Sequence, residues 1–364
     1  MLHQRVCSIV ATARELASGV AIVACAALVV LAGGCRAAAT PATRNVPRVT
    51  KRSFMSASLG VNKDYFVYTP VGYDANPTQR WPVLYLLHGM TQDETAWPLQ
   101  AQLASVADAA RFAAIVVMPD GDNSFYSNST TPVNYAACIA HGTGLLDPRA
   151  EHRKTCVQTP NYESYIVDDL LHEIDSNYRT RAERNGRGIA GLSMGGFGAF
   201  MLAMRHPETF SAAASHSGVL TLLFAGPYPY RRGNVQMVED VRQWGAEIGV
   251  FGTWFRGIFG TDRHNWLAHD PSELAKTLVP STPTSLALYL DCGTEDEFAL
   301  HNGARYLHDI LTERSIAHEF YVGPGAHNFA FWKARLPFSL AFFAKQFANS
   351  GVAHSGLHHA GSAP

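Results

Sequence analysis

Residues 188–200 read Gly-Ile-Ala-Gly-Leu-Ser-Met-Gly-Gly-Phe-Gly-Ala-Phe, and this stretch decides the fold. Gly188 to Ala190 reads as a short buried strand, and Gly195 to Arg205 reads as a helix. Between them lies Gly191-Leu192-Ser193-Met194-Gly195, a G-x-S-x-G at a strand-to-helix turn. A turn this tight excludes bulk two places before and two places after the serine. The Ser193 hydroxyl then stands free above a sheet, and the Met194 N–H points to where an oxyanion would form. The pattern alone recurs by chance; its place between strand and helix gives it weight.

Outward from this turn, strands and helices alternate. Tyr65 to Thr69, Val83 to Leu87, Ala114 to Met118, Ala212 to Ser215 and Leu286 to Leu290 are short runs of strand character, most of them continuously apolar. Such runs suit strands buried on both faces. Tyr162 to Tyr178 places Tyr165, Ile166, Leu170 and Ile174 on one helical stripe, and Ala304 to Glu313 is another helix candidate. The expected architecture is α/β: a mostly parallel, doubly wound sheet with helices on both faces and functional groups at the C-terminal strand ends. From Leu220 to about Thr284 the rhythm breaks. Phe224, Tyr228, Tyr230, Trp244, Trp254, Phe255, Phe259 and Trp266 crowd a segment that reads as an inserted helical and aromatic cap walling a pocket.

A serine needs a base, and the base an orienting acid, to act as a nucleophile at neutral pH. In this fold the chain order is Ser, acid, His. His327, in the turn Gly323-Pro324-Gly325-Ala326-His327, is the candidate base, and Asp291, Glu295 and Asp296 are the acids that follow a strand in between. Spacing does not separate the three, although Asp296 lies furthest into the loop. Asp291 could cap the turn after its strand. The second oxyanion donor is expected at the N–H of Met90, in the turn Leu87-His88-Gly89-Met90 after an early strand. His88 precedes Ser193 and is read as holding that turn by hydrogen bonds.

The ends of the chain carry other signals. Arg5 and Arg14 precede an uncharged run from Leu16 to Cys35 that closes Leu31-Ala32-Gly33-Gly34-Cys35. This pattern describes a signal peptide over residues 1–35. Small residues before Cys resemble a bacterial lipobox, with Ala32 standing where the usual Leu would. Cys35 is thus the expected lipidation site, and the membrane an expected partner through that lipid. An uncleaved anchor and a leader without lipid are the competing readings. Each exports the protein, to a periplasmic or cell-surface location. Residues 36–52 read as a flexible tether, 53–348 as the folded domain, and 349–364 as a disordered tail.

Composition narrows the rest. With 364 residues, 47% of them hydrophobic, the chain has material for one large core and is not wholly disordered. Lys plus Arg number 29 and Asp plus Glu 30, so no basic surplus points to nucleic acid. Cys138 and Cys156 bracket a polar segment and are expected to form a disulfide in an oxidising compartment. Cys292 follows an apolar strand and reads as a buried small hydrophobe. Neither Cys pair has the close spacing of a metal site, so no metal is expected.

Seven stretches carry a family resemblance: LYLLHGMTQDETAW (84–97), VMPDGDNSFYSN (117–128), YIVDDLLHEIDSNY (165–178), IAGLSMGGFGAF (189–200), FSAAASHSG (210–218), LDCGTEDEF (290–298) and GPGAHNFAFW (323–332). Together they resemble the esterase D family of α/β-hydrolases, most of all its tributyrin-esterase and S-formylglutathione-hydrolase-like branch. The resemblance implies a triad of Ser193, Asp296 and His327, with Met90 and Met194 as the oxyanion hole. It implies a small-molecule ester as substrate and no cofactor. It also implies two function classes to separate: hydrolysis of short-chain or small aromatic acyl esters, and acyl transfer as in mycolyltransferases. A binding lipoprotein that keeps the fold without the chemistry is the rival from outside catalysis. The insertion between Cys138 and Cys156 is longer than in short-chain members of the family.

Overall fold

Strand pairing explains why the serine turn is where it is. The computed structural model describes residues 48–142, 152–243, 250–280 and 285–352. Within them run the strands β1 (Val49–Ser56), β2 (Val61–Tyr68), β3 (Val83–Leu87), β4 (Ile115–Pro119), β5 (Arg187–Leu192), β6 (Ala212–His216), β7 (Phe224–Gly226), β8 (Gln236–Met237), β9 (Ala287–Gly293) and β10 (His318–Gly323). Eight form one sheet in the order β1-β2-β4-β3-β5-β6-β9-β10. From β4 to β10 all neighbours are parallel, while β1 and β2 join antiparallel at one edge. The chain leaves β3 toward β4 and returns on the other side to β5. The crevice between the carboxyl ends of β3 and β5 is therefore a topological switch point, where open α/β sheets place their ligands.

Every residue of β3 and β4 is buried. Val83, Tyr85 and Leu87 join one core and Leu84 and Leu86 the other, because side chains alternate across a strand. On the first face pack Tyr165, Ile166, Leu170 and Ile174, all fully buried, with the helices Met194–Arg205 and Leu300–Glu313. The stripe read from the sequence is the buried one. Its helical run over 162–177 contains a wider π-helical segment, Tyr165–Leu170. The second face is covered by the helices Leu103–Ala109 and Phe329–Val352.

Two boundaries differ from expectation. The tether over 36–52 was expected to reach Arg52, yet β1 begins at Val49 and pairs along its whole length with β2. Its Lys51 and Arg52 face outward at a sheet edge, so it has no apolar run to read. The tail over 349–364 was expected to start at Asn349, yet the helix Phe329–Val352 runs three residues past that point. That helix had no counterpart in the sequence reading. Leu336, Leu340, Phe343 and Phe347 bury one face of it even though Pro337 interrupts its interior hydrogen bonding. The leader, Cys35 and Trp244 lie outside the described residues. Among the described residues, no helix is long and apolar enough to cross a membrane.

The inserted segment contains the small β7–β8 sheet and the helices Val250–Phe259, Arg263–Leu267 and Pro271–Ala275. Most of its rings pack inward. Phe255, Phe259 and Trp266 are buried and close on Phe125 and Phe197, while Tyr228 stays exposed. Cys138 and Cys156 are disulfide-bonded, with a Cα separation of 5.7 Å.

Candidate active site

Ser193 sits between the end of β5 and the start of the helix Met194–Arg205, with φ 52° and ψ −118°. A non-glycine residue in this region stores about 1–3 kcal/mol of strain, held only by its surroundings. Those surroundings are tight. A Cβ on Gly191 would lie 2.3 Å from the Gly195 carbonyl carbon, and one on Gly195 would lie 2.4 Å from the Leu87 oxygen. Both neighbours are backbone and cannot swing aside. The Ser193 N–H is held by the His216 carbonyl at 2.9 Å, which locks the bend from β6.

His327 arrives from the turn after β10. Its Nε2 is 2.9 Å from Ser193 Oγ, and its Nδ1 is 2.7 Å from Asp296 Oδ2. With the carboxylate accepting the Nδ1 proton, the Nε2 lone pair faces the serine hydroxyl, the tautomer a general base needs. Among the three acids left open by spacing, only Asp296 is bonded to His327. Its Oδ1 accepts the Phe298 N–H at 3.0 Å and the Leu300 N–H at 3.4 Å, while the buried Cys292 thiol donates to Oδ2 at 3.6 Å. Burial pushes that thiol well above its ordinary range, with the Asp296 charge acting in the same direction, so Cys292 is a thiol donor here rather than a thiolate. Glu295 is exposed.

Asp291 departs from the sequence reading. It was left open as a triad acid or a cap of its turn, and its side chain does neither but points into the core. Both of its oxygens lie 3.0 Å from His216 Nδ1, and it also accepts from Arg335 Nε at 3.1 Å and the Tyr289 hydroxyl at 2.8 Å. His216 Nε2 meets Ser339 Oγ at 2.9 Å. Strand polarity made Asp291 visible as an acid, but nothing local marks the partners that neutralise it, which come from β6 and the last helix.

The turn after β3 lies against the serine: a Cβ on Gly89 would be 3.4 Å from Ser193 Cβ and 2.5 Å from Leu192 Cδ1. The Gly89 N–H donates to Gln92 Oε1 and the Thr91 N–H to Asn123 Oδ1, so the amides on either side of Met90 are tied back. Met194 opens its helix, and its N–H is among those a helix leaves without an intrahelical acceptor. His88 holds this turn. Its Nδ1 meets the Gly89 carbonyl at 2.7 Å, its Nε2 accepts the Gly121 N–H at 2.9 Å, and its own carbonyl accepts the Tyr126 hydroxyl at 3.0 Å. Behind Gly121, buried Lys63 bridges Asp120 at 2.9 Å and Asp122 at 2.7 Å. Burial works to lower the Lys63 pKa, but the two carboxylates outweigh it and the net shift is upward. Neither Lys63 nor Tyr126 was singled out in the sequence reading.

Glu297 and Phe298 also escaped the sequence reading. The His327 N–H donates to Glu297 Oε2 at 3.0 Å. The imidazole stands edge-to-face between Phe298, at 4.9 Å, and Trp332, at 5.0 Å. Among the described residues, no group of three or more His, Cys, Asp or Glu side chains is arranged to hold a metal ion.

Comparison with known proteins adds a family to this geometry. The profile of the family described as "Putative esterase" matches residues 56–343. An esterase of Mycobacterium tuberculosis is 30% identical over 294 residues, covering 78% of this chain and 57% of its own length. The chain thus spans little more than half of that relative. A diacylglycerol acyltransferase/mycolyltransferase of Mycobacterium avium is 26% identical over 87% of this chain and 85% of its own. Among solved structures, a fluorophosphonate-binding serine hydrolase of Staphylococcus aureus superposes with a TM-score of 0.59 at 20% identity, over 81% of this chain and 98% of that one. At that identity the likeness speaks for the α/β-hydrolase fold.

Proposed function

The chain belongs to the esterase family whose profile spans it, and from that premise we propose that it is a serine carboxylic-ester hydrolase with Ser193, His327 and Asp296 as its triad. The observation that carries the reading is the unbroken relay from Asp296 through His327 to Ser193, with bonds of 2.7 and 2.9 Å. Ser193 Oγ attacks the ester carbonyl while His327 Nε2 takes its proton. Asp296 stabilises the imidazolium that forms. The N–H groups of Met90 and Met194 hold the tetrahedral oxyanion, each contributing about 3 kcal/mol to lowering the barrier. His327 then protonates the leaving alcohol, and water releases the acid from Ser193 by the same steps in reverse. Substrates are short-chain or small aromatic acyl esters, and no cofactor takes part. Labelling with a fluorophosphonate, followed by peptide mapping, tests the nucleophile: the adduct is expected on Ser193. An unlabelled Ser193 in folded protein that hydrolyses p-nitrophenyl butyrate would refute the assignment.

A second reading is favoured by the mycolyltransferase relative, which this chain matches over most of both lengths. In it the same acyl-enzyme passes its acyl group to an alcohol instead of water. Turnover with and without an added acceptor alcohol separates the two, since transfer gives a new ester and hydrolysis gives free acid only.

A further inference from the structure

Residues 296, 297 and 298 each engage His327 in a different way: a carboxylate on the ring, a carboxylate on the backbone N–H, and an aromatic ring against the imidazole edge. The two rings flanking the imidazole are unlike. Trp332 is buried and its Nε1–H is bonded to Ser217 Oγ, so it forms an inner wall. Phe298 is 58% exposed although only 8% of the His327 side chain is accessible. Phe298 is thus the ring of this pair that a ligand can reach.

Its backbone is not loose. The Phe298 N–H donates to Asp296 Oδ1, the Ala299 N–H returns to the Asp296 carbonyl at 2.9 Å, and the helix Leu300–Glu313 follows at once. The acid that orients His327 therefore also fixes the base of the Phe298 side chain. With that backbone fixed, a ligand lying on the ring has only the side-chain torsions left to order.

Chemistry says which part of a substrate arrives there. In the acylation step His327 Nε2 gives its proton to the leaving oxygen, the carbon–oxygen bond breaks, and the acyl group stays on Ser193 Oγ. The leaving oxygen must come within hydrogen-bond reach of Nε2. Of the two rings that flank the imidazole, Phe298 is the one open to whatever that oxygen carries, since Trp332 is buried. We infer that Phe298 is a specificity-determining residue for the alcohol half of the ester, favouring alcohols with an aromatic or flat apolar face. This deepens the serine esterase reading and depends on it.

The test compares benzyl acetate with methyl acetate, whose leaving alcohols have similar acidity and whose acyl group is shared. Phe298→Ala is expected to lower the benzyl-to-methyl ratio of kcat/KM about 10-fold, the discrimination typical of one apolar contact. Phe298→Tyr should keep the ratio within about twofold, since the aromatic face remains. Methyl phenylacetate against methyl acetate puts the aromatic group on the acyl side, and that ratio should not follow the first. An unchanged benzyl ratio in Phe298→Ala, or an equal fall in both ratios, overturns the inference. Should the Ala variant fail to fold, Phe298→Leu takes its place with an expected fall of about threefold, and an unchanged ratio there overturns it equally. Ser193→Ala run alongside separates the two claims. Hydrolysis surviving in it sinks the serine esterase reading itself, whereas a dead Ser193→Ala with an unchanged ratio sinks only the role of Phe298.

Discussion

Among the described residues, two Ser-His-Asp constellations have nearly the same spacings. In one, Asp296 and Ser193 flank His327 at 2.7 and 2.9 Å; in the other, Asp291 and Ser339 flank His216 at 3.0 and 2.9 Å. Their acids are five positions apart, on β9 and in the loop that follows it. The inner set is shut in: His216 and Asp291 are fully buried, and Ser339 is 1% exposed. Arg335 and Tyr289 bind the inner carboxylate, and the Ser339 hydroxyl is already donated to the Leu336 carbonyl at 3.0 Å. Ser339 also lies within an ordinary helix, whereas Ser193 sits in a strained bend at a helix N-terminus. On the proposed assignment of Ser193, distances within a triad are not enough to make a nucleophile. Access, a strained bend, and a hydroxyl facing its base rather than a backbone carbonyl distinguish Ser193 from Ser339.

That difference can be broken at several points. Ser193→Ala is expected to lower kcat for p-nitrophenyl acetate about 10⁴- to 10⁶-fold while leaving the denaturation midpoint nearly unmoved. Asp296→Asn should follow, costing about 10⁴-fold in kcat through the wrong imidazole tautomer. Its inner counterpart, Asp291→Asn, should do the opposite. It leaves half-buried Arg335 and fully buried His216 without their carboxylate, so urea unfolding should show a loss of about 3–5 kcal/mol. If Asp291→Asn proved stable but inactive, the inner set would have a chemical role and the contrast would fail.

Ser339→Ala should remove about 1–2 kcal/mol of stability by leaving a buried His216 nitrogen without its partner, with kcat within about twofold of wild type. The smallest expected effect is that of Cys292→Ala, which removes the thiol donor from Asp296 Oδ2. Because thiols are weak donors, kcat should fall about threefold, as read in steady-state assays on the folded variant. A fall as large as that of Asp296→Asn would show that the thiol orients the acid far more strongly than its 3.6 Å contact implies.

The elbow, the sheet class and the candidate base were legible because each is written locally. A tight turn demands Gly191 and Gly195 beside Ser193, strands buried on both faces demand runs such as Val83–Leu87, and a helix facing a core demands the stripe Tyr165, Ile166, Leu170 and Ile174. Edge strand β1 was missed because Lys51, Arg52 and Ser53 are exposed in succession, so both of its sides are wet there and it has no such run. The last helix was missed because Pro337 and a mixture of large rings blur its period.

Local spacing did not decide which acid faces which histidine: the resemblance implied Asp296 for His327, and only the tertiary structure showed Asp291 facing His216. Asp291 and Asp296 are alike in sequence, and local spacing left both open. Strand register sends the Asp291 side chain inward to His216, while the loop after β9 turns Asp296 toward the end of β10, where His327 waits. Nothing within a few residues of either aspartate encodes that. Pairings between positions far apart in the chain arise only when the sheet closes, so the residue types and the serine turn belong to the sequence, and the choice between a buried network and an open relay belongs to the fold.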